Sequence, residues 1–292
     1  MKRGVPMSLQ TFLYRRMCTK ADAKRDAGLT VPDELEITQN LPYSGVPKWQ
    51  ILDLYRPKQR AGRLPVIVSF HGGGWVYGTK ETYRFYCMSL AQQGFAVVNP
   101  TYRLAPEHRF PAAFADIAAV YAFVMQHADE YEFDTEHIFG IGDSSGANGT
   151  AAFALLLTNP DYAPKFPVKP PEGLRLCGIG LNCGVYSMEG KKNSMRDLLP
   201  KENPDAALDL LDIPKHITAA FPPCYLMTAR GDFNASQPQT LIPALKRCGV
   251  PYQCKIWGDA QNPLGHVFHC NMRDAHAAAA NSEELAFFRA LL

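Results

Sequence analysis

No stretch of this chain approaches the roughly 18 consecutive uncharged apolar residues that a membrane-spanning helix needs. Residues 1–6 carry charge but have no apolar segment behind them, so a secretory signal is not expected. Long basic blocks are missing as well. The 30 Lys and Arg residues are scattered, and the formal net charge is only +2. These absences argue against membrane insertion and against a nucleic acid or other polyanion as partner.

A disulfide framework is also missing from the pattern. The 8 cysteines lie far apart and form no C-x-x-C pair. Several of them, including Cys177, Cys224 and Cys254, sit in apolar runs typical of strands. Buried free thiols in a reducing compartment fit this distribution best, so we expect a cytoplasmic protein.

The chain does contain a regular alternation of short apolar runs and helix-like segments. Apolar runs at 64–70, 95–99, 137–141, 174–182, 223–229 and 251–257 predict buried strands, and segments at 81–93, 111–128, 145–158, 236–248 and 276–291 predict helices. Runs at 35–39 and 51–55 alternate apolar and polar residues and predict antiparallel strands. This order indicates an α/β fold with a mainly parallel sheet and helices on both faces.

Two segments fall outside this alternation. Residues 8–28 predict an amphipathic helix that forms part of a lid or an N-terminal brace; its apolar face holds Leu9, Phe12, Leu13, Met17 and Cys18. Residues 183–218 are polar and rich in proline, with helix-like pieces at 194–199 and 204–212. We interpret them as an insertion and not as a layer of the core.

The most informative motif is Gly142-x-Ser144-x-Gly146, which lies between a strand-like and a helix-like segment. Glycine is required on both sides of such a turn because a Cβ would collide with the neighbouring strand and helix. The turn lifts the Ser144 hydroxyl to a helix N-terminus, where the dipole favours developing negative charge. The motif predicts a nucleophile, and the alternative is a glycine-rich turn with a capping serine.

Sites in parallel sheets lie at the carboxyl ends of the strands. After the strand at 64–70 comes His71-Gly72-Gly73-Gly74-Trp75, whose backbone N–H groups can approach a ligand closely. Acyl-transfer chemistry needs such donors where a carbonyl oxygen becomes an oxyanion. The alternative is a flexible glycine turn, and we expect His71 to brace the loop in either case.

A serine nucleophile needs a base, and the base needs an acidic partner. Asp232 follows the strand at 223–229 and His266 lies in the loop after the last strand, which gives the order Ser, Asp, His of the α/β-hydrolases. Asp259 is a rival for the acid, and His269 and His276 are rivals for the base.

A metal site is the weaker interpretation of the same loop. His266, His269 and Cys270 offer ligand atoms, but no further cluster of ligands supports them, so no metal is expected.

Together these residues resemble the hormone-sensitive-lipase-like branch of the α/β-hydrolase esterases. The resemblance covers about residues 64–290 and includes His71 to Trp75, the segment from Tyr102 to Ala113 (YRLAPEHRFPAA), Gly142-Asp143-Ser144-Ser145-Gly146, Asp232 and His266-Val267-Phe268. It implies an α/β-hydrolase fold in a single domain over 1–292, with a small helical cap from about 1–30 and 183–218. It also implies that Arg103 and Glu107 are structural, as a buried ion pair that ties down the oxyanion loop.

The resemblance further implies a serine carboxylesterase for short-acyl esters that uses no cofactor. The implied catalytic residues are Ser144, Asp232 and His266, the implied oxyanion hole is formed by the N–H groups of Gly73, Gly74 and Ser145, and Trp75 is expected to bind substrate. Small acetylated sugars are one candidate substrate class, and a homodimer is an open expectation.

Three departures from the family pattern put the subfamily and the substrate in question. Ser145-Gly146-Ala147 stands where Ala-Gly-Gly is commoner, Asp232 is not followed by Pro-Leu, and the histidine motif ends in Val-Phe-His. An amidase, arylformamidase or peptidase with the same triad is the main alternative. A non-catalytic ligand receptor should have lost a triad member, and a lipase at an oil surface should have a more apolar lid.

Overall fold

The computed structural model describes residues 7–292. Its centre is an eight-stranded sheet in the order β1-β2-β4-β3-β5-β6-β7-β8. The strands are β1 (Leu35–Pro42), β2 (Ile51–Pro57), β3 (Leu64–Phe70), β4 (Ala96–Thr101), β5 (Phe133–Asp143), β6 (Gly178–Asn182), β7 (Cys224–Ala229) and β8 (Tyr252–Trp257). β2 runs antiparallel to both β1 and β4, and all other neighbours are parallel. The predicted mainly parallel sheet is therefore confirmed.

Helices follow most of the strands, as predicted. They are α1 (Leu9–Asp26), α2 (Lys80–Ala91), α3 (Ala112–Gln126), α4 (Ser145–Thr158), α5 (Pro204–Leu211), α6 (Pro238–Arg247) and α7 (Ala275–Arg289). The helix-like piece predicted at 194–199 is wrong. This stretch forms only turns, and Pro200 follows it, where a helix could not continue its hydrogen-bond pattern.

The two faces of the sheet are covered by different helices. On β3, Val66, Val68 and Phe70 belong to the hydrophobic cluster that includes α3 and α4, whereas Ile67 belongs to the cluster that includes α2 and α7 on the opposite face. This alternation follows from the two-residue period of a strand, and it explains why central strands such as β3 read as continuous apolar runs. The predicted helices on both faces are confirmed.

Residues 183–218 bury more apolar side chains than their polar composition suggested. Several of their side chains are buried in the main hydrophobic cluster beside α3 and α4, including Tyr186, Leu198, Leu199, Leu211 and Ile213. The segment therefore contributes side chains to the hydrophobic core, and its interpretation as an insertion stays a prediction. Its apolar residues are spread among prolines and charges, which hides them from a search for continuous runs.

The apolar face of α1 points away from the protein. Leu9, Phe12, Leu13 and Met17 are 50–71% exposed, which is the opposite of what an amphipathic helix packed by its apolar face would show. The first six residues of the predicted 1–30 cap segment lie outside the described residues.

Polar contacts hold α1 in place instead. The hydroxyls of Ser8 and Thr11 both donate to Asp197, each at 2.6 Å, and Arg15 donates to the backbone oxygen of Val76 at 2.6 Å. These bonds connect α1 to the 183–218 segment and to the loop after β3. Whether these parts act as a cap stays a prediction.

The expected ion pair between Arg103 and Glu107 does not form. Arg103 pairs with Asp116 on α3 at 2.7 Å, and Glu107 pairs with Arg15 on α1 at 2.8 Å. Both pairs still fix the 102–113 segment, but to two different helices. The sequence offers each charge several partners, and only the tertiary arrangement selects among them.

All eight cysteines lie within the described residues and are free thiols, as predicted. Cys224 is buried on β7, whereas Cys254 is exposed because β8 is an edge strand. The prediction of burial is therefore wrong for Cys254. None of the helices in residues 7–292 combines the length and the apolar character needed to cross a bilayer.

Glu284 on α7 is a fully buried carboxyl group against β6. Its Oε2 accepts a hydrogen bond from Asn182 at 3.1 Å, and its Oε1 lies where a Cβ on Gly180 would come within 2.0 Å. Burial raises the pKa of Glu284 from 4.5 to about 8, and the hydrogen bond from Asn182 offsets only part of this effect. The folded protein therefore holds a proton on Glu284 that the unfolded chain releases near pH 4.5.

Replacing Glu284 with Gln should remove a pH dependence of stability. In the wild type, protonated Glu284 favours the folded state at low pH, and the free energy of unfolding falls as pH rises from 4.5 to about 8. The fall should be roughly 1 kcal/mol per pH unit. Urea unfolding at pH 5, 6, 7 and 8 should give a flatter profile for Glu284→Gln. Glu283→Gln, the neighbouring control, should keep the wild-type slope, and equal slopes for all three proteins would contradict the prediction.

Candidate active site

Ser144 occupies a strained turn between β5 and α4. Its backbone has φ 51° and ψ −114°, a region that residues with a side chain rarely adopt. The Ser144 N–H donates to the backbone oxygen of Asn182 at the end of β6, at 2.9 Å. The side chain is half-buried at the N-terminus of α4, so its hydroxyl can meet both solvent and the positive end of the helix dipole.

The glycines around Ser144 are required by close packing, as predicted. A Cβ on Gly142 would lie 2.5 Å from the backbone of Gly146, and a Cβ on Gly146 would lie 2.0 Å from the carbonyl oxygen of Phe70 on β3. The turn can therefore press against both its own helix and the adjacent strand only when neither position carries a side chain.

The loop after β3 runs beside this turn. Among residues 7–292, the backbone N–H groups of Gly73, Gly74 and Ser145 have no hydrogen-bond acceptor. Gly73 is half-buried and Gly74 is exposed, so their amides can donate to a ligand. Unpaired amides of this kind can stabilise an oxyanion.

His71 and Trp75 flank these glycines and are both buried. The imidazole of His71 stacks on Tyr102 with 4.1 Å between ring centroids, and burial lowers the pKa of His71 to about 4. A neutral, stacked ring braces the loop, as expected. Trp75 is only 4% exposed and packs in the main hydrophobic cluster, so its expected contact with substrate stays a prediction.

The structure brings Asp232 and His266 together. Nδ1 of His266 lies 2.8 Å from Oδ1 of Asp232, whose carboxylate also accepts hydrogen bonds from the Asn234 N–H at 2.7 Å and the Thr228 hydroxyl at 3.0 Å. Burial alone would raise the pKa of Asp232, but the hydrogen bond and charge of His266 and the Asn234 amide lower it below its usual range. The carboxylate is thus held charged beside the imidazole.

The rival residues are engaged elsewhere. Asp259 is exposed and accepts hydrogen bonds from the backbone of its own turn, and His276 is exposed and pairs with Asp274. His269 is fully buried, its ring approaches Cys270, and burial lowers its pKa to about 3. None of these three contacts the pair formed by Asp232 and His266.

Two further side chains lie against this pair. The ring of Phe233, which is 77% exposed, packs against His266 at a tilt of 38°, with 4.0 Å between centroids. Cys183 is buried behind the pair, and one potential ligand atom from each of Cys183, Asp232 and His266 falls within 4.8 Å of the others. The combination of His266, His269 and Cys270 considered from sequence does not form such a group among the described residues.

Sequence reasoning missed two side-chain contacts beside the nucleophile. Asp143 and Ser145 both accept hydrogen bonds from the loop after β3, at 3.0 Å from Gly72 and at 3.3 Å from Trp75. The signal for Asp143 was a lone carboxylate at the end of an apolar strand. Ser145 stood out only as a departure from the family pattern.

A small cavity lies next to the glycine loop. It has a volume of about 210 Å³ and is lined by Gln10, Thr11, Tyr14, Gly74, Val76, Ser194, Met195, Asp197 and Leu198. Its walls thus come from α1, the loop after β3 and the 183–218 segment. A wider cavity of about 550 Å³ contains none of the predicted site residues.

Comparison with known proteins places this chain in a superfamily. The family model BD-FAE matches residues 52–194. Esterase B from Lactobacillus rhamnosis, in its tributyrin phosphonate inhibited structure, has a TM-score of 0.88 and 27% sequence identity, covering 97% of this chain and 94% of that one. The chain belongs to the α/β-hydrolase superfamily. The fold class predicted from the sequence is confirmed.

Relatives of this α/β-hydrolase include named esterases. Carboxylesterase NlhH of Mycobacterium tuberculosis is 39% identical over 104 residues, which cover 35% of this chain and 33% of that protein. The acetyl esterase of Salmonella schwarzengrund is 36% identical over 105 residues, covering 36% and 32%. The matched regions thus span about a third of these relatives. The predicted resemblance to the esterase branch is confirmed.

Replacing Gly146 with Ala should disrupt the turn of this α/β-hydrolase. The new Cβ would collide with the Phe70 carbonyl oxygen on β3, and backbone atoms cannot move aside easily. We expect a loss of roughly 3 kcal/mol in the free energy of unfolding, measured by urea titration. Gly149→Ala on the same helix is the matched control. Its Cβ would meet only the movable Ile117 side chain at 3.3 Å, so stability should change by about 1 kcal/mol or less. Equal effects of the two substitutions would contradict the packing argument.

Proposed function

We propose that this protein is a serine carboxylesterase that hydrolyses short-acyl esters through an acyl-enzyme intermediate. The observation that carries the proposal is the 2.8 Å contact between Nδ1 of His266 and the buried carboxylate of Asp232. That contact fixes the imidazole tautomer and leaves Nε2 free to accept a proton. A strained serine at the start of α4 supplies the complementary nucleophile.

The chemistry proceeds in two displacements. The Ser144 hydroxyl oxygen attacks the ester carbonyl carbon while Nε2 of His266 takes the hydroxyl proton, and the carbonyl electrons move onto oxygen. The N–H groups of Gly73, Gly74 and Ser145 stabilise that oxyanion. When the tetrahedral intermediate collapses, His266 gives the proton to the departing alcohol.

Water completes the cycle. His266 removes a proton from a water molecule, which attacks the acyl carbon, and Ser144 leaves with that proton restored. Asp232 stays ionised throughout and stabilises each imidazolium. Its lowered pKa supports this role, because the carboxylate remains charged wherever His266 can act as a base.

More of the named relatives are esterases than amide hydrolases, although an arylacetamide deacetylase of Bos taurus is 33% identical over 144 residues. The curated relatives include a carboxylesterase and an acetyl esterase, and the structural neighbour esterase B is inhibited by a tributyrin phosphonate. A phosphonate mimics the tetrahedral stage of acyl transfer. We extend the reaction class from these proteins to this chain, and we include small acetylated sugars among the substrates to be tested.

The small cavity beside Gly74 is our proposed acyl pocket. Its volume of about 210 Å³ lies below the range of drug-sized ligand sites. It adjoins one of the proposed oxyanion donors, and α1 and the 183–218 segment close its far side as a cap. This arrangement supports a preference for short acyl chains.

Replacing Ser144 with Ala should abolish hydrolysis of p-nitrophenyl acetate. Loss of the nucleophile should lower kcat by about 10⁶-fold. The variant should also fail to react with a fluorophosphonate probe that labels the wild type. Ser282→Ala, which removes an exposed hydroxyl on α7, should behave like the wild type in both assays. Substantial turnover by Ser144→Ala would overturn the proposal, and rates with matched anilides and acetylated sugars would define the substrate class.

Replacing Met195 with Ala should lengthen the acyl chain that the enzyme accepts. The shorter side chain enlarges the cavity beside Gly74. We expect the ratio of kcat/KM for p-nitrophenyl octanoate over acetate to rise roughly tenfold. Met272→Ala is the control because Met272 lines a different cavity. An unchanged chain-length profile in Met195→Ala would place the acyl pocket elsewhere.

A further inference from the structure

The residues on either side of Ser144 both hold the neighbouring glycine loop. Oδ1 of Asp143 accepts a hydrogen bond from the Gly72 N–H at 3.0 Å, and Oγ of Ser145 accepts one from the Trp75 N–H at 3.3 Å. The two bonds enclose Gly73 and Gly74, whose own amides have no acceptor within residues 7–292. The two bonds therefore join the residues on either side of Ser144 to the residues on either side of the unpaired amides.

The Asp143 side of this arrangement is closely fitted. Its carboxylate is buried, and Oδ2 accepts a second hydrogen bond from the Tyr83 hydroxyl of α2 at 2.8 Å. A Cβ on Gly72 would lie 2.3 Å from the same oxygen. Position 72 must therefore be glycine for its amide to reach the carboxylate.

The Ser145 side uses a residue with two functions. Its backbone N–H lies in the first turn of α4 and is one of the proposed oxyanion donors, while its hydroxyl oxygen receives the Trp75 amide. Alanine is commoner at this position in the family pattern, and alanine would keep the N–H but lose the second contact. The contact is therefore a property of this chain's own sequence.

We propose that Asp143 and Ser145 are positioning residues that fix the glycine loop relative to Ser144, so that the Gly73 and Gly74 amides point at the developing oxyanion. This inference rests on the proposed function. Oxyanion donors act only when they lie close to the position the charged oxygen will take, and a shift of about 1 Å can cost 100-fold in rate. Two bonds at the ends of the donor pair restrict both its position and its tilt.

The Asp143 bond should also depend on pH. Burial raises the pKa of Asp143 to about 6, although the Tyr83 hydroxyl, the charge of His266, the Gly72 amide and Arg25 act in the opposite direction. The negative charge of Asp143 also raises the pKa of other groups around it. These groups are Tyr14 on α1, Tyr86 and Cys87 on α2, Tyr102 after β4, Cys183 after β6 and Cys270 before α7. Above pH 6 the carboxylate accepts both bonds as an anion. As pH falls through about 6 it gains a proton and holds the loop less tightly.

The test uses Ser145→Ala and Asp143→Asn, which keep the backbone and the approximate size of each residue. Each should lower kcat for p-nitrophenyl acetate about tenfold with KM nearly unchanged, because only the transition state carries the oxyanion. Affinity for butaneboronic acid, which forms a tetrahedral adduct with a serine, should weaken by a similar factor. Asp134→Asn at the far end of β5 and Ser282→Ala are the matched controls and should show neither change.

A pH series separates the charge of Asp143 from the shape of its side chain. The ratio of wild-type to Asp143→Asn kcat should be about tenfold at pH 8 and fall towards one at pH 5, where the wild-type carboxyl is protonated. A ratio that stays constant with pH would refute the role of the anion.

The outcomes distinguish this inference from the function on which it rests. If Ser144→Ala remains active, the proposed function fails. If Ser144→Ala is inactive but Ser145→Ala and Asp143→Asn keep wild-type kcat and boronic acid affinity, only the positioning role fails. Should Asp143→Asn not fold, Tyr83→Phe removes one bond to the same carboxylate and also the 3.2 Å bond that the Gly72 N–H donates to the Tyr83 hydroxyl, and it should lower kcat by a smaller factor. Wild-type values there and in Ser145→Ala would overturn the inference.

Discussion

The positive φ of Ser144 is the constraint on which the site depends. The conformation is unfavourable by itself, and its surroundings impose it through the Asn182 backbone bond and the close contacts of Gly142 and Gly146. The Gly146 contact reaches β3, the strand that leads into the glycine loop. The contact between Gly146 and β3 therefore maintains the strained backbone of Ser144 and also holds the Ser144 turn close to the glycine loop.

The order of strands explains why residues far apart in the chain meet. β3 and β5 are neighbours in the sheet and run parallel, so the glycine loop and the Ser144 turn leave the same edge side by side. β6 and β7 continue that edge, and Asp232 follows β7 there. The loop after β8 places His266 beside Asp232. The helices on each face supply burial, and burial in turn sets the pKa values of Asp143 and Glu284.

The sequence predicted the features that depend on residues close together in the chain. Strands with both faces buried were recognisable as apolar runs, and the requirement for glycine beside Ser144 followed from the geometry of its turn. The outward face of α1 was not predictable, because periodicity defines an apolar stripe but not what it faces. The partners of Arg103 and Glu107 and the hydroxyl contact of Ser145 depend on which distant segments become neighbours. The roles of Ser144, Asp232 and His266 stay predictions.

α1 contacts the glycine loop through Arg15, the 183–218 segment through Thr11, and the loop before α7 through the Arg273 side chain, which donates to the backbone at its end. It adds no strand to the sheet, and its bonds are polar ones that water can replace. Evolution can therefore exchange this helix for another sequence that offers the same few donors and acceptors. The surface that α1 presents can change in this way while the sheet beneath it keeps its own packing.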